Sequence, residues 1–126
     1  MISGVGIDMI DVERIEQRIK KENGFKELIF SKQEIAYCES KVNKFEHYAA
    51  RFAAKEAFFK ALGTGWANGI NFNETEIVNN AAGKPELVFT GTTQKTLSAL
   101  EMIKISVSLS HLKTLAAAVV IIEKES

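Results

Sequence analysis

The sequence predicts an α+β fold, one domain over residues 1–126 with helices packed on a mainly antiparallel sheet, and three observations carry that prediction. First, the C-terminal part reads as a hairpin. Ile103, Ile105, Val107 and Leu109 alternate with Lys104, Ser106, Ser108 and Ser110, the period of a half-buried strand, and the run 116–122 is apolar throughout, as a strand covered on both faces would be. Second, a long helical segment at about 45–62 stops at Gly63, and a capping-box sequence, Ser31-Lys32-Gln33-Glu34, opens another helix upstream. Third, 126 residues with 46% hydrophobic and 25% charged side chains is the composition of one ordinary globular domain, long enough to bury a core without metal or disulfide staples.

Taken in order, residues 2–10 form an opening strand in which Val5, Ile7 and Met9 share one face and Gly4, Gly6, Asp8 and Ile10 the other. Asp11 is placed to cap a first helix over about 12–22, whose apolar stripe is Val12, Ile15 and Ile19 and whose end is marked by Lys20, Lys21 and Gly24. At the second helix, Phe30 and Ile35 add a hydrophobic staple to the capping box. Segments 74–79 and 86–90 read as strands around the turn Ala81-Ala82-Gly83-Lys84-Pro85, with a short helix at about 92–101 before the closing hairpin.

Sixteen basic residues balance sixteen acidic ones, so no global field points to nucleic acid or a membrane surface, and any charge effect is local. The N-terminus has neither the basic region nor the apolar core of a signal peptide, and no apolar run approaches the roughly 20 residues that span a bilayer; the expected location is the cytoplasm. Cys38 has no intrachain disulfide partner and, with Ile35 and Val42 at helical spacing, reads as a small core residue rather than a reactive thiol.

The long helix carries the chemistry. At about 100° per residue, Phe45, Tyr48, Ala49, Phe52, Phe59 and Lys60 form one broad stripe with Glu56 near its centre. A carboxylate on an apolar face needs a partner, either Lys60 one turn on or a metal ion. Asp8 raises the same question from the opening strand, on a face whose glycines permit close backbone approach. Two such carboxylates suit a hard divalent cation such as Mg²⁺ if substrate phosphates supply further oxygens. Beyond Lys60, Gly63-Thr64-Gly65 reads either as a left-handed helix cap and turn or as part of an anion site.

Gly6-Ile7-Asp8 with Arg14, the segment from Arg51 through Lys55-Glu56-Ala57 and Lys60-Ala61-Leu62-Gly63-Thr64-Gly65, then Gly83-Lys84-Pro85 and Ser108-Leu109-Ser110-His111 together resemble the holo-[acyl-carrier-protein] synthase family of small bacterial phosphopantetheinyl transferases. The resemblance covers nearly the whole chain in order; Leu112 and Trp66-Ala67-Asn68 depart from its pattern. It implies the 4'-phosphopantetheinyl transferase fold and transfer of 4'-phosphopantetheine from coenzyme A to a serine of apo acyl carrier protein, with release of 3',5'-ADP, in fatty acid biosynthesis. By that resemblance Asp8 and Glu56 are Mg²⁺ ligands, and Lys60 contacts the diphosphate. Glu56 is the first choice to take the serine proton, directly or through a water. Arg51, Gly63, Thr64, Gly65, Lys84, Pro85, Ser110 and His111 line the coenzyme A cleft. Without the motif, His111 would read as an exposed turn residue.

Arg14, Arg18 and Lys21 form a second stripe on the first helix, about 125° from the apolar one. Alone it could be a solvated face shared with Glu13, Glu16 and Glu22; the resemblance makes it, with Phe25, the docking surface for the acidic carrier protein. The serine-bearing face beside the apolar strand suggests a subunit interface, which the resemblance turns into a homotrimer with active sites between subunits. Two other classes remain at this level. One is a non-catalytic module that binds acidic proteins. The other is a different nucleotide-using phosphoryl transferase, although no Walker-type loop supports it.

Overall fold

The first and last strands of the chain are hydrogen-bonded to each other, and this pairing organises everything else. In the computed structural model, which describes residues 1–63 and 69–125, the elements are β1 (Ile2–Asp11), α1 (Val12–Lys20), α2 (Phe25–Ile29), α3 (Lys32–Glu39), α4 (Lys44–Leu62), a 3-10 turn at Phe72–Glu74, β2 (Thr75–Asn79), β3 (Pro85–Phe89), α5 (Gly91–Ser98), β4 (Met102–His111) and β5 (Leu115–Lys124). All strand pairs are antiparallel; β5 is central in a three-stranded sheet of order β1-β5-β4, and β2 and β3 form a separate ribbon. The expected α+β class stands.

Cross-strand register fixes the two faces of the large sheet. Gly6 lies opposite Val120, which lies opposite Val107; Asp8 follows with Ala118 and Leu109, and Ile10 with Ala116 and His111. This inner face packs on α4. It does so closely because β1 has no side chains at two successive inner positions: a Cβ on Gly4 would collide with the Ala61 carbonyl oxygen, and one on Gly6 with that of Ala57. Alanines at 49, 50, 53, 54, 57 and 61 give α4 both helix propensity and a narrow profile.

Three expectations are corrected. α4 is not an amphipathic helix with one apolar stripe; residues 48–55, 57–59 and 61 are all buried, because the sheet, α1, α3 and β2 surround it. The 116–122 strand is not covered on both faces within the chain. Ala116, Ala118, Val120 and Ile122 are buried, but its other side flanks an open row in which Val5, Ile7 and Met9 are 59%, 63% and 62% exposed. The first helix ends at Lys20, two residues early, since Glu22 and Gly24 adopt left-handed backbone at φ 51° and 91°. Its Asp11 occupies the N-cap without a side-chain bond; the Val12 amide is satisfied by the Thr114 carbonyl at 3.0 Å.

The capping box at Ser31 forms as expected, and its glutamate does more than cap. Glu34 Oε1 accepts from the Ser31 amide at 3.0 Å and from Lys55 Nζ at 2.6 Å, while Oε2 accepts from the Ile77 amide at 2.9 Å. Lys55 Nζ also donates to the Ile29 and Phe72 carbonyls at 2.9 and 2.7 Å. Both side chains are inaccessible to solvent, and burial pushes the Lys55 ammonium below its usual range. One fully bonded ion pair thus ties α2, α3, the 3-10 turn and β2 to α4. Cys38 is fully buried with its thiol pushed up to about 12 by desolvation, in line with a core role.

Candidate functional site

The contact between β1 and the last turns of α4 collects the ionisable groups that the sequence singled out. Asp8 is carried on the inner face of β1 beyond the two glycines, and Glu56 and Lys60 are one turn apart on α4. Lys60 Nζ donates to Asp8 Oδ1 at 2.9 Å and to the Ile7 carbonyl at 3.0 Å. The anticipated pair of Lys60 with Glu56 is therefore replaced by one with Asp8, and no described residue forms an ion pair with Glu56. Glu56 is half-buried, and its carboxyl is held above the ordinary range, chiefly by that burial and then by the negative charge of Asp8; Lys60 and Arg18 oppose the shift. The two carboxylates face one region, where their mutual repulsion favours a cation.

The donor set there is oxygen only: Asp8, Glu56 and the Ile7 carbonyl. That is the chemistry of a hard divalent cation, and a positive charge, the Lys60 ammonium, already sits against part of it. No set of three or more His, Cys, Asp or Glu side chains able to hold a metal occurs among the described residues, so two protein carboxylates are the charged ligands available. Gly63 caps α4 in the left-handed conformation, φ 79°, with its amide donating to the Phe59 and Lys60 carbonyls. Thr64 and Gly65, expected in the coenzyme cleft, lie outside the described residues, as do Trp66, Ala67 and Asn68.

Other expected cleft residues occupy the opposite flank of α4. His111 is not an exposed turn residue: it ends β4 on the inner face, its Nδ1 2.8 Å from Glu46 Oε1 and its ring 5.0 Å from that of His47. Arg51 is 3% exposed and lies over the Tyr37 ring at 4.1 Å, and its Nε has no hydrogen-bond partner among the described residues. Burial and the nearby positive charges of His111, Arg51 and Lys41 hold His47 below the usual histidine range. Tyr37 Oη accepts from Asn79, whose register partner is Pro85, so Pro85 and the exposed Lys84 approach this flank through β2. Ser110 is on the other face of the sheet, opposite Ala117, in a shallow groove with Ile7, Ser108 and Val119. Glu56 and His47 are nine residues apart, about 180° around the helix. One chain therefore brings together Asp8, Glu56 and Lys60, and separately Arg51 and His111, but not the two groups.

On the first helix Arg14 is exposed and Arg18 half-buried, with the Arg18 guanidinium 5.8 Å from the Phe25 ring and Phe25 6.2 Å from Phe52. Lys21 is exposed just past the end of the helix. Arg18 is close enough to influence Glu56, so the basic stripe adjoins the carboxylate site. Sequence reasoning misses Glu46 and His47, which have no motif of their own, and the pairing of Glu34 with Lys55, since the spacing of Glu34 signals only a cap.

A model of the 4'-phosphopantetheinyl transferase superfamily matches residues 4–120. The chain belongs to that superfamily. The chain is 51% identical to the holo-[acyl-carrier-protein] synthase of Cytophaga hutchinsonii, over 98% of its own length and 99% of the relative's. Among solved structures, the holo-[acyl-carrier-protein] synthase of Neisseria meningitidis superposes on this chain with a TM-score of 0.90 at 34% identity, covering 98% of this chain and 100% of that one. The Bacillus anthracis enzyme, solved in complex with CoA (3',5'-ADP), superposes with a TM-score of 0.81 at 36% identity and covers 99% of both chains. The family, the fold and an enzymatic role for the chain are thereby fixed.

Proposed function

We propose that this chain transfers the 4'-phosphopantetheine group of coenzyme A to a serine hydroxyl of an apo acyl carrier protein, releasing 3',5'-ADP, in fatty acid biosynthesis in the cytoplasm. The observation that carries the reading is the meeting of Asp8, Glu56 and Lys60 where β1 packs on α4, in a chain whose family match runs from residue 4 to 120. Asp8 and Glu56 would hold one Mg²⁺, which when bound withdraws charge from the diphosphate oxygens. Lys60, on a flexible stem at the mouth of the site, binds the diphosphate. Glu56 takes the serine proton, directly or through a water: its position beside Asp8 puts a carboxylate where the hydroxyl would be deprotonated. The serine oxygen forms the new bond to the pantetheine-bearing phosphorus as the bond to the 5'-phosphate of the leaving 3',5'-ADP breaks, the geometry of in-line phosphoryl transfer.

The carrier docks on Arg14, Arg18, Lys21 and Phe25, whose basic stripe adjoins Glu56 and so would bring an acidic partner's serine to the carboxylate. The remaining coenzyme contacts come from Gly63, Thr64, Gly65, Arg51, Lys84, Pro85, Ser110 and His111. Because Arg51 and His111 lie across α4 from Glu56, they serve the site of a neighbouring chain, in a homotrimer closed through the open row of Val5, Ile7 and Met9. That exposed apolar row supports an interface. The direct test is mass spectrometry of apo carrier protein incubated with this chain, coenzyme A and Mg²⁺. A mass gain of one phosphopantetheine is expected; no gain, or gain with ATP in place of coenzyme A, overturns the reading.

A further inference from the structure

Lys60 sits on the carboxylate that the proposed function assigns to the metal. Its ammonium makes two contacts on β1, one to Asp8 Oδ1 at 2.9 Å and one to the Ile7 main-chain oxygen at 3.0 Å. The Asp8 side chain is only 15% exposed while that of Lys60 is 54% exposed. The lysine stem therefore reaches in from solvent to a carboxylate that has little other access to water. An Asp8 oxygen that accepts this ammonium cannot simultaneously offer the same lone pair to a divalent ion, and a cation entering beside it meets the lysine's positive charge as well. Glu56, one helical turn away, forms no ion pair with any described residue, so Asp8 is where metal and lysine compete.

We infer that Lys60 is a place-holding counter-ion for the cation site: with the site empty it neutralises Asp8, and binding of a divalent cation expels it from Asp8 toward the coenzyme diphosphate. The inference rests on the metal-holding role proposed above for Asp8 and Glu56, and it goes beyond that role by giving Lys60 two successive partners. Both groups required for phosphate recognition then appear together, since loading the cation releases the lysine. By linkage, coenzyme that draws Lys60 away must tighten cation binding by the same factor. A compact ammonium on a flexible four-carbon stem suits such an exchange, as a planar guanidinium locked in a fork would not. The half-exposed pair is weak enough to be displaced.

Three measurements without turnover test it, using the full chain and no coenzyme. Lysine footprinting with an amine-reactive ester, read by peptide mass spectrometry, should show Lys60 labelling rise several-fold on adding Mg²⁺. In Asp8→Asn, labelling should already be high and unaffected by Mg²⁺. Mn²⁺ binding followed by electron paramagnetic resonance should tighten roughly two- to fivefold in Lys60→Met, the scale of losing one exposed ion pair. If Mn²⁺ binds Asp8→Asn as well as it binds the unaltered chain, the metal role of Asp8 itself fails. If Mn²⁺ binding depends on Asp8 but Mg²⁺ leaves Lys60 labelling unchanged, the metal site stands and the exchange is overturned.

Discussion

Glu56 and Asp8 differ in how their charge is met, and this sets what their removal does. Asp8 has Lys60 against it, whereas Glu56 has no paired cation among the described residues and is partly desolvated. Asp8→Ala and Glu56→Ala should each lower phosphopantetheine transfer by at least about a hundredfold, the lower range for loss of a proton-transfer or charge-stabilising group, with circular dichroism unchanged. Retained turnover at saturating Mg²⁺ in either variant would sink both roles. Glu56→Gln makes a separate statement about stability. In the folded chain Glu56 keeps its proton to higher pH than it does unfolded, so its ionised form costs stability above the ordinary glutamate value of about 4.3 and nothing well below it. In metal-free buffer the Gln variant should therefore melt higher than the unaltered chain at about pH 7, and the difference should vanish as the pH falls below about 4. A gap that persists in acid would show that packing, not charge, separates them. The sequence made Asp8 and Glu56 legible because a carboxylate among glycines or alanines is conspicuous. It hid the Lys60 partner, since both Glu56 at i−4 and Asp8 across the sheet were within a lysine's reach, and only the close approach of β1 to α4 decides between them.

At the scale of elements, α1 and α2 present a basic and aromatic edge next to the site, and α3 is fastened behind it. Replacing both Arg14 and Arg18 by Glu should raise KM for carrier protein at least tenfold while leaving that for coenzyme A within about twofold, and added salt should shrink the difference through screening. Equal rises in the two KM values would remove α1 from the docking surface. The buried pair of Glu34 and Lys55 makes the contrary kind of prediction. Removing either partner leaves a dry, unpaired charge, so Lys55→Met or Glu34→Leu should cost about 3–5 kcal/mol in chemical denaturation, and the joint change of Lys55 to Met and Glu34 to Leu should cost less than the two single changes added together. Simple additivity would show that the two charges do not depend on each other. The helices and strands expected from periodicity and caps are present, with ends displaced by one to three residues. What escaped was α2, whose five residues are too few to show a helical period, and the burial of α4 on all sides. Periodicity reports one face of a helix, and an alanine-rich helix wrapped by several neighbours has no distinctive face.

At the scale of the whole molecule, α4 divides the proposed coenzyme contacts into two sets on opposite flanks, and the outer sheet face leaves Val5, Ile7 and Met9 in solvent. Two inactive chains should therefore complement each other. Mixed assemblies of Asp8→Ala and His111→Ala chains should recover a substantial fraction of activity, because some subunit boundaries then combine an intact Asp8 with an intact His111. Lack of recovery, or full activity of a protein shown by ultracentrifugation to be monomeric, would return both sets to one chain. The pairing of β1 with β5 has a further consequence, in time rather than in space. Ile2 stands opposite Glu123, so among the described elements the strand that carries Asp8 leaves the ribosome before its one paired strand, β5, which follows only after all the helices. At about 5–20 residues per second of synthesis, β1 waits many seconds without a strand beside it while the helices can already form. Such long-range closure slows folding. The meeting of Asp8 with Glu56 and Lys60 is thus among the last of the described contacts to become secure, since the strand that holds β1 in the sheet is made after the rest of them.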